Sequence, residues 1–128
     1  MNVLLTPDSF PPGGGGSGRS TAALARALTR RGHRVRVVVA RQEPSGQKEL
    51  DGVAVSEVEI AASKLGNASE RERVFAEGLS AAAGEEAWDL AHAQHWLSAL
   101  STRRALPRLP TIVTVRDYWP VCIWSTRL

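Results

Sequence analysis

Pro11-Pro12-Gly13-Gly14-Gly15-Gly16-Ser17-Gly18-Arg19 is the stretch on which the reading of the chain turns. Five of the six residues 13–18 are glycine, so the segment brings almost no side chain to packing. Glycine admits positive φ and lets a ligand or a second backbone come close. Upstream, residues 2–6 (Asn-Val-Leu-Leu-Thr) read as a short apolar strand; downstream, the Ala/Leu pattern of residues 20–31 reads as a helix. A glycine turn between a strand and a helix N-terminus aims unpaired N–H groups and the positive end of the helix dipole at one point, which suits a phosphate. Standing alone, Gly-Gly-Gly-Gly-Ser would be a flexible tether. Its place between a first strand and a first helix favours a ligand loop.

Working outward, Leu24, Ala25 and Leu28 share one helix face, and Gly32 takes the position past the helix end. Val35, Val37, Val38 and Val39 form a second strand, mostly buried. After the turn at Pro44, Ser45 and Gly46, residues 53–60 alternate apolar and polar, as a half-exposed edge strand does. Ser69 and Glu72 form a capping-box pattern opening a helix that carries Phe75 and Leu79, closed by Gly84. A strand over 88–93, a helix over 96–106 stopped by Pro107, and a strand over 111–115 complete the order β-α-β-β-α-β-α-β. Helices between strands predict a mainly parallel α/β sheet.

A chain of 128 residues is one domain at most, able to bury about two-thirds of its unfolded surface. No apolar run approaches the ~18–20 residues of a membrane span, and the N-terminus lacks a basic and hydrophobic signal segment. The single cysteine, Cys122, excludes an internal disulfide framework and a multi-cysteine metal site. A cytoplasmic protein is the default expectation. Arg19, Arg26, Arg30, Arg31, Arg34, Arg36 and Arg41 all fall in the first third of the chain. They are either a basic face for a phosphorylated ligand or for the inner membrane face, or a solvated helix face whose last arginines complement the dipole; the second is favoured. No aromatics are interleaved with them, so no nucleic-acid partner is expected.

Open parallel sheets bind ligands at the carboxyl ends of their strands, where the strand order reverses. With the first strand central, the glycine loop lies there beside the end of the 88–93 strand, which carries His92, Gln94 and His95. The two histidines are ligand contacts or structural hydrogen-bonders; no carboxylate nearby completes a metal site. His33, just past a helix end, reads as a capping or dipole contact. Two rival motifs are weak. Gly13, Gly15 and Gly18 satisfy G-x-G-x-x-G, with Glu43 placed as a ribose-binding acid would be, but a glycine run meets that pattern almost automatically. Gly13, Gly18, Arg19 and Ser20 meet a Walker A pattern only with Arg for Lys. An NAD(P)-binding domain and a non-catalytic phosphate or sugar-ligand module are the readings that go with them. Neither accounts for the histidines or for Tyr118, Trp119 and Trp124, which read as an aromatic tail cut from a downstream partner and able to drive self-association.

Four stretches carry a resemblance to the N-terminal, Rossmann-like domain of retaining GT-B glycosyltransferases, of the family 4-like kind. They are Val3 to Pro12 with Gly15, Gly16 and Arg19; Leu24 to His33 with Val35; Asp89-Leu-Ala-His-Ala-Gln-His95; and Thr114-Val-Arg-Asp-Tyr-Trp-Pro-Val-Cys122. The resemblance implies an α/β Rossmann-like domain with helices on both faces, and transfer of a sugar from a nucleotide sugar to a glycan, lipid or small-molecule acceptor, with retention and without a metal. Gly15, Gly16 and Arg19 match the donor loop. The family writes His-x-His at the fourth-strand end; here His92 takes the first position and Gln94 the second, with His95 following, so that Gln94 and His95 are the implied catalytic pair. Arg116 stands where the family has histidine before Asp117, both implied ligand contacts, and Ile123 where it has proline. The family's acidic motif and nucleotide pocket belong to a C-terminal domain outside these residues, which makes this chain an inactive half on its own.

Overall fold

The structure, a computed structural model, describes residues 1–46, 48–64 and 66–116. Asp117 and the aromatic tail with Tyr118, Trp119, Cys122 and Trp124 lie outside the described residues. The elements run β1 (Asn2–Thr6), α1 (Gly16–Arg30), β2 (Arg34–Arg41), β3 (Glu49–Leu50), β4 (Val53–Glu59), a 3-10 turn (Ala62–Lys64), α2 (Ala68–Ala83), β5 (Leu90–Ala93), α3 (Trp96–Ala105) and β6 (Thr111–Val113). The sheet order is β3-β4-β2-β1-β5-β6, parallel except for the β3–β4 pair. This is the expected Rossmann-like α/β sheet, and the order reverses between β1 and β5. The two-residue β3, unmarked in the sequence, caps β4, which otherwise is the edge strand its alternation foretold.

Alternation along the strands divides the core into two. Val3, Leu5, Val35, Val37, Val39, Val53 and Val55 pack with Ala22 and Ala25 of α1 on one face. Leu4, Val38, Val58 and Ala91 pack with Phe75 and Leu79 of α2 on the other. β1 is buried from Val3 to Thr6 because both its faces are covered. At Gly78 a methyl group would overlap Val58, so α2 lies close against β4.

Three expectations of detail are corrected. α1 begins at Gly16, four residues before the Ala/Leu pattern, so the last glycines are helical. Intrinsic propensity is against this by about 1 kcal/mol per glycine. Contacts override it: Gly18 is buried where a Cβ would come 3.1 Å from Ser9 Oγ and 3.3 Å from the Phe10 nitrogen. α2 is capped by Asn67, whose side chain accepts the Glu70 N–H at 3.0 Å, and not by Ser69. Glu72, the expected partner in that capping box, instead faces α3 and receives Arg104 Nε at 2.9 Å. The strand expected over 88–93 starts only at Leu90, since Asp89 turns its carboxylate to the Asn2 N–H at 2.7 Å. Gly32 and Gly84 end their helices as foreseen; at the first, the His33 N–H reaches Leu28 O and the Gly32 N–H reaches Thr29 O, a Schellman pair.

Candidate functional site

The carboxyl edge of the sheet at β1 and β5 collects the chemistry-bearing residues. β1 runs into Pro7, Asp8, Ser9 and the fully buried Phe10, which plugs the α1-side core and fixes where the glycine run starts. Gly14 has φ +89°, and a Cβ there would come 2.7 Å from that of Ser9, so this glycine turns the chain into α1. Gly15 is the N-cap and offers no side-chain cap. The first backbone bond of the helix is Arg19 N–H to Gly15 O, at 3.2 Å. The N–H groups of Gly16, Ser17 and Gly18 are thus left for a ligand or water, with no acidic residue in the first turn to compete. Around Gly15 and Gly16 a Cβ would meet nothing within 4 Å. Arg19 is exposed on the same turn.

Arg41, counted from the sequence only among the basic residues of the first third, and Glu57, not singled out there, hold this loop. Arg41, at the end of β2, donates from Nη2 to Phe10 O at 2.7 Å and Pro11 O at 2.9 Å, and from Nε to Glu57 of β4 at 2.9 Å. The Glu57 carboxylate also receives the Ser45 hydroxyl at 2.8 Å and the Gly46 N–H at 2.9 Å. Burial alone would raise its pKa, but these hydrogen bonds outweigh burial and hold the carboxyl below its usual range. A signal was present: Arg41 follows Val35, Val37 and Val39 in phase, and Glu57 follows Val53 and Val55. Charges at buried-phase positions mark a pair. Arg26, Arg34 and Arg36 are likewise ion-paired, with Asp51 and Glu86, and Arg34, Arg36 and Arg41 belong to β2, so these arginines are held by carboxylates and do not form the solvated helix face expected from the sequence.

On the β5 side, His92, Gln94, Thr114 and Arg116 form one chain. Arg116 Nη2 donates to Gln94 Oε1. Arginine has only donors, so the Gln94 oxygen faces it and the Gln94 nitrogen faces His92 Nε2, at 2.9 Å. His92 Nε2 is therefore the unprotonated acceptor, able to take the Thr114 hydroxyl at 2.7 Å as well, and the ring proton sits on Nδ1. Burial first, and then the charge of Arg116, push the ring below the ordinary histidine value. Gln94 is only 1% exposed and both ends of its amide are engaged. It sits inside the site wall and orients its neighbours.

His95 stands apart from that chain. It is the N-cap of α3: its Nδ1 accepts the Leu97 N–H at 3.3 Å, while its own N–H goes to Ser98 Oγ at 3.2 Å. Its ring faces a cavity of about 230 Å³ that it shares with Asp8 and Ser98. Asp8 in turn accepts the Ser17 hydroxyl, at 3.4 Å, and so joins the first turn of α1 to the mouth of that cavity. The exposed Glu43 and the structural His33, 3.3 Å from the Met1 amine, take no part. Among the described residues no three His, Cys, Asp or Glu side chains converge on one point.

The fold and this edge define a Rossmann-like half of the kind GT-B transferases are built from, and the comparisons agree. The family described as "Glycosyl transferase 4-like domain" matches residues 15–126. The chain belongs to that family. Sucrose-phosphate synthase from Thermosynechococcus elongatus shares the fold, with a TM-score of 0.71 at 16% identity. That match covers 100% of this chain and 37% of the synthase chain. No match is found among the curated proteins.

Proposed function

We propose that this chain is the acceptor-side half of a glycosyltransferase that moves a sugar from a nucleotide sugar to a hydroxyl-bearing acceptor, with retention at the anomeric carbon. The observation that carries the reading is the pairing of a glycine-rich helix turn without a side-chain cap with a histidine held below its usual pKa, at the point where strand order reverses, in a chain of this family. The free N–H groups of residues 16–18 and the α1 dipole are suited to a diphosphate, whose charge grows as it leaves the sugar; Arg19 adds a full charge. These groups do for the leaving phosphate what a metal would otherwise do, and no metal is invoked.

Gln94 is assigned a positioning role: it fixes the His92 tautomer and seats Arg116. His95 and Asp8 line the acceptor's side, and Asp117, outside the described residues, is assigned a ligand contact on the resemblance alone. The nucleotide base is held by a second domain that closes over this edge. The reaction then takes place in the cytoplasm, at the inner membrane face when the acceptor is a lipid. Incubating the full-length protein with UDP- and GDP-hexoses and an acceptor mixture, and following the anomeric proton by NMR, tests this. A glycoside with the donor's anomeric configuration is expected; nicotinamide oxidation, or binding without any transfer, would favour the dinucleotide or binding-module reading.

A further inference from the structure

Among the described residues, Arg116 is held unlike the other arginines that have side-chain partners. Arg26, Arg36, Arg41 and Arg104 each meet a carboxylate, at 2.6, 2.7, 2.9 and 2.9 Å. Arg116 meets instead the amide of Gln94, and no carboxylate of the described residues faces it. Gln94 is 1% exposed, so the guanidinium is fixed from inside the fold while Arg116 itself is exposed. A glutamate there would grip arginine harder and cancel its charge; the amide orients the guanidinium and leaves the charge whole. The charge is felt in the site: after burial, it is what pushes the His92 ring below its ordinary value. Of the five N–H donors of the guanidinium one goes to Gln94, and the others have no partner among the described residues. An oriented and uncancelled cation at this edge is built for an anion.

The kind of anion follows from where the guanidinium stands. The Gln94 N–H bonds Thr6 O at 3.1 Å, so the amide sits at the junction of β1 and β5. The open N–H groups of residues 16–18 serve this junction from the β1 side, and Arg116 reaches it from beyond the end of β6. A ligand that meets both carries a phosphate at one end and a second anionic group at the other. The planar guanidinium fork matches the two oxygens of a carboxylate. A hexose carries such a group when its exocyclic carbon is oxidised to the acid. We infer that Arg116 receives the carboxylate of a hexuronate, so that the sugar selected at this edge is an acidic one. The inference rests on the transferase reading only in calling the hexuronate a substrate. The carboxylate belongs either to the sugar being transferred or to the acceptor, and the test separates them.

Binding to the full-length protein would be followed by calorimetry and by NMR of the His92 ring. One arm compares glucuronate 1-phosphate with glucose 1-phosphate and inorganic phosphate, as stand-ins for the transferred sugar. The other compares methyl glucuronoside with methyl glucoside, as stand-ins for the acceptor. In one of the two arms the acidic ligand should bind about tenfold or more tightly than its neutral counterpart. Its carboxylate offsets the Arg116 charge, so the His92 pKa should rise on binding, and by more than with the neutral ligand. Arg116→Gln should abolish the preference and Arg116→Lys keep part of it, each with the Tm of the parent, since the side chain is exposed. Arg116-dependent hexuronate binding in a protein that transfers no sugar would keep the site and sink the transferase reading. Equal affinity for acidic and neutral ligands in both arms would overturn the inference, whether or not the protein transfers sugar. So would a loss of inorganic phosphate binding in Arg116→Gln as large as the loss of glucuronate 1-phosphate binding, because the guanidinium would then serve the phosphate.

Discussion

Gln94 can donate and accept at once, and its neighbours demand both. Arg116 offers only donors, and a neutral His92 offers an acceptor at Nε2, so the amide fits between them in one orientation. A carboxylate would not. Gln94→Glu would bind Arg116 more strongly, but it has no proton for His92 Nε2 and favours the imidazolium. The His92 pKa, below its ordinary value in the parent, should then rise above it, as an NMR pH titration of the ring would show. The sign for stability follows. A histidine with a depressed folded pKa contributes stability that is complete above its unfolded value and is lost as pH falls through that value towards the folded one. At the glycine loop, Gly16→Val changes one thing. Gly16 has neither positive φ nor a neighbour near its missing Cβ, and valine is the better helix former, so Tm should hold. If the turn holds a diphosphate, the valine blocks it and kcat/KM of the full-length protein should fall by roughly a hundredfold. Unaltered kcat/KM would return the loop to a mere connection.

Elements, more than residues, were legible in the sequence. The Val3–Leu5 run, the valines of β2, and Gly32 and Gly84 each announce their element through short-range chemistry: burial on two faces, β-branching, a helix end that glycine tolerates. What the sequence did not disclose is set by partners far along the chain. The start of α1 inside a glycine run depends on Ser9 and Phe10 pressing on Gly18, and the two-residue β3 exists only because β4 has an edge to cover. The Arg41–Glu57 pair is the most consequential of these, because it carries the order of β2 and β4 into the glycine loop. The two side chains are 13% and 5% exposed. Arg41→Met would strand the Glu57 carboxylate and free the Phe10 and Pro11 carbonyls, at a cost of about 3 kcal/mol. Urea unfolding should show that loss, together with a change in pH dependence. The depressed pKa of Glu57 gives stability that is present above the ordinary glutamate range and disappears as pH falls through its folded value, so the parent should lose more on acidification than Arg41→Met does.

At the scale of the molecule, the described residues would, in the proposed transferase, supply one side of a cleft. The first turn of α1, the His92–Gln94–Arg116 chain and the cavity beside His95 all lie at the same edge of the sheet. Apolar side chains are also exposed at the β6 edge and on α3: Ile112 and Val115 are 51% and 56% exposed, and Leu100 of α3 is 53% exposed. No helix of the described residues is long and apolar enough to cross a membrane. Groups from two domains held together within bonding reach are what make such a cleft catalytic. The 128-residue chain alone should therefore turn over no nucleotide sugar and bind one only at roughly millimolar strength, about 4 kcal/mol. It should also associate as its concentration rises, since among the described residues β6 is the last strand of the sheet and exposes apolar side chains to a second copy. Sedimentation velocity would read the association, and Ile112→Lys with Val115→Lys should suppress it. A chain that stays monomeric and transfers sugar unaided would mean that the acceptor edge alone suffices, and the two-domain account of the chemistry would fall.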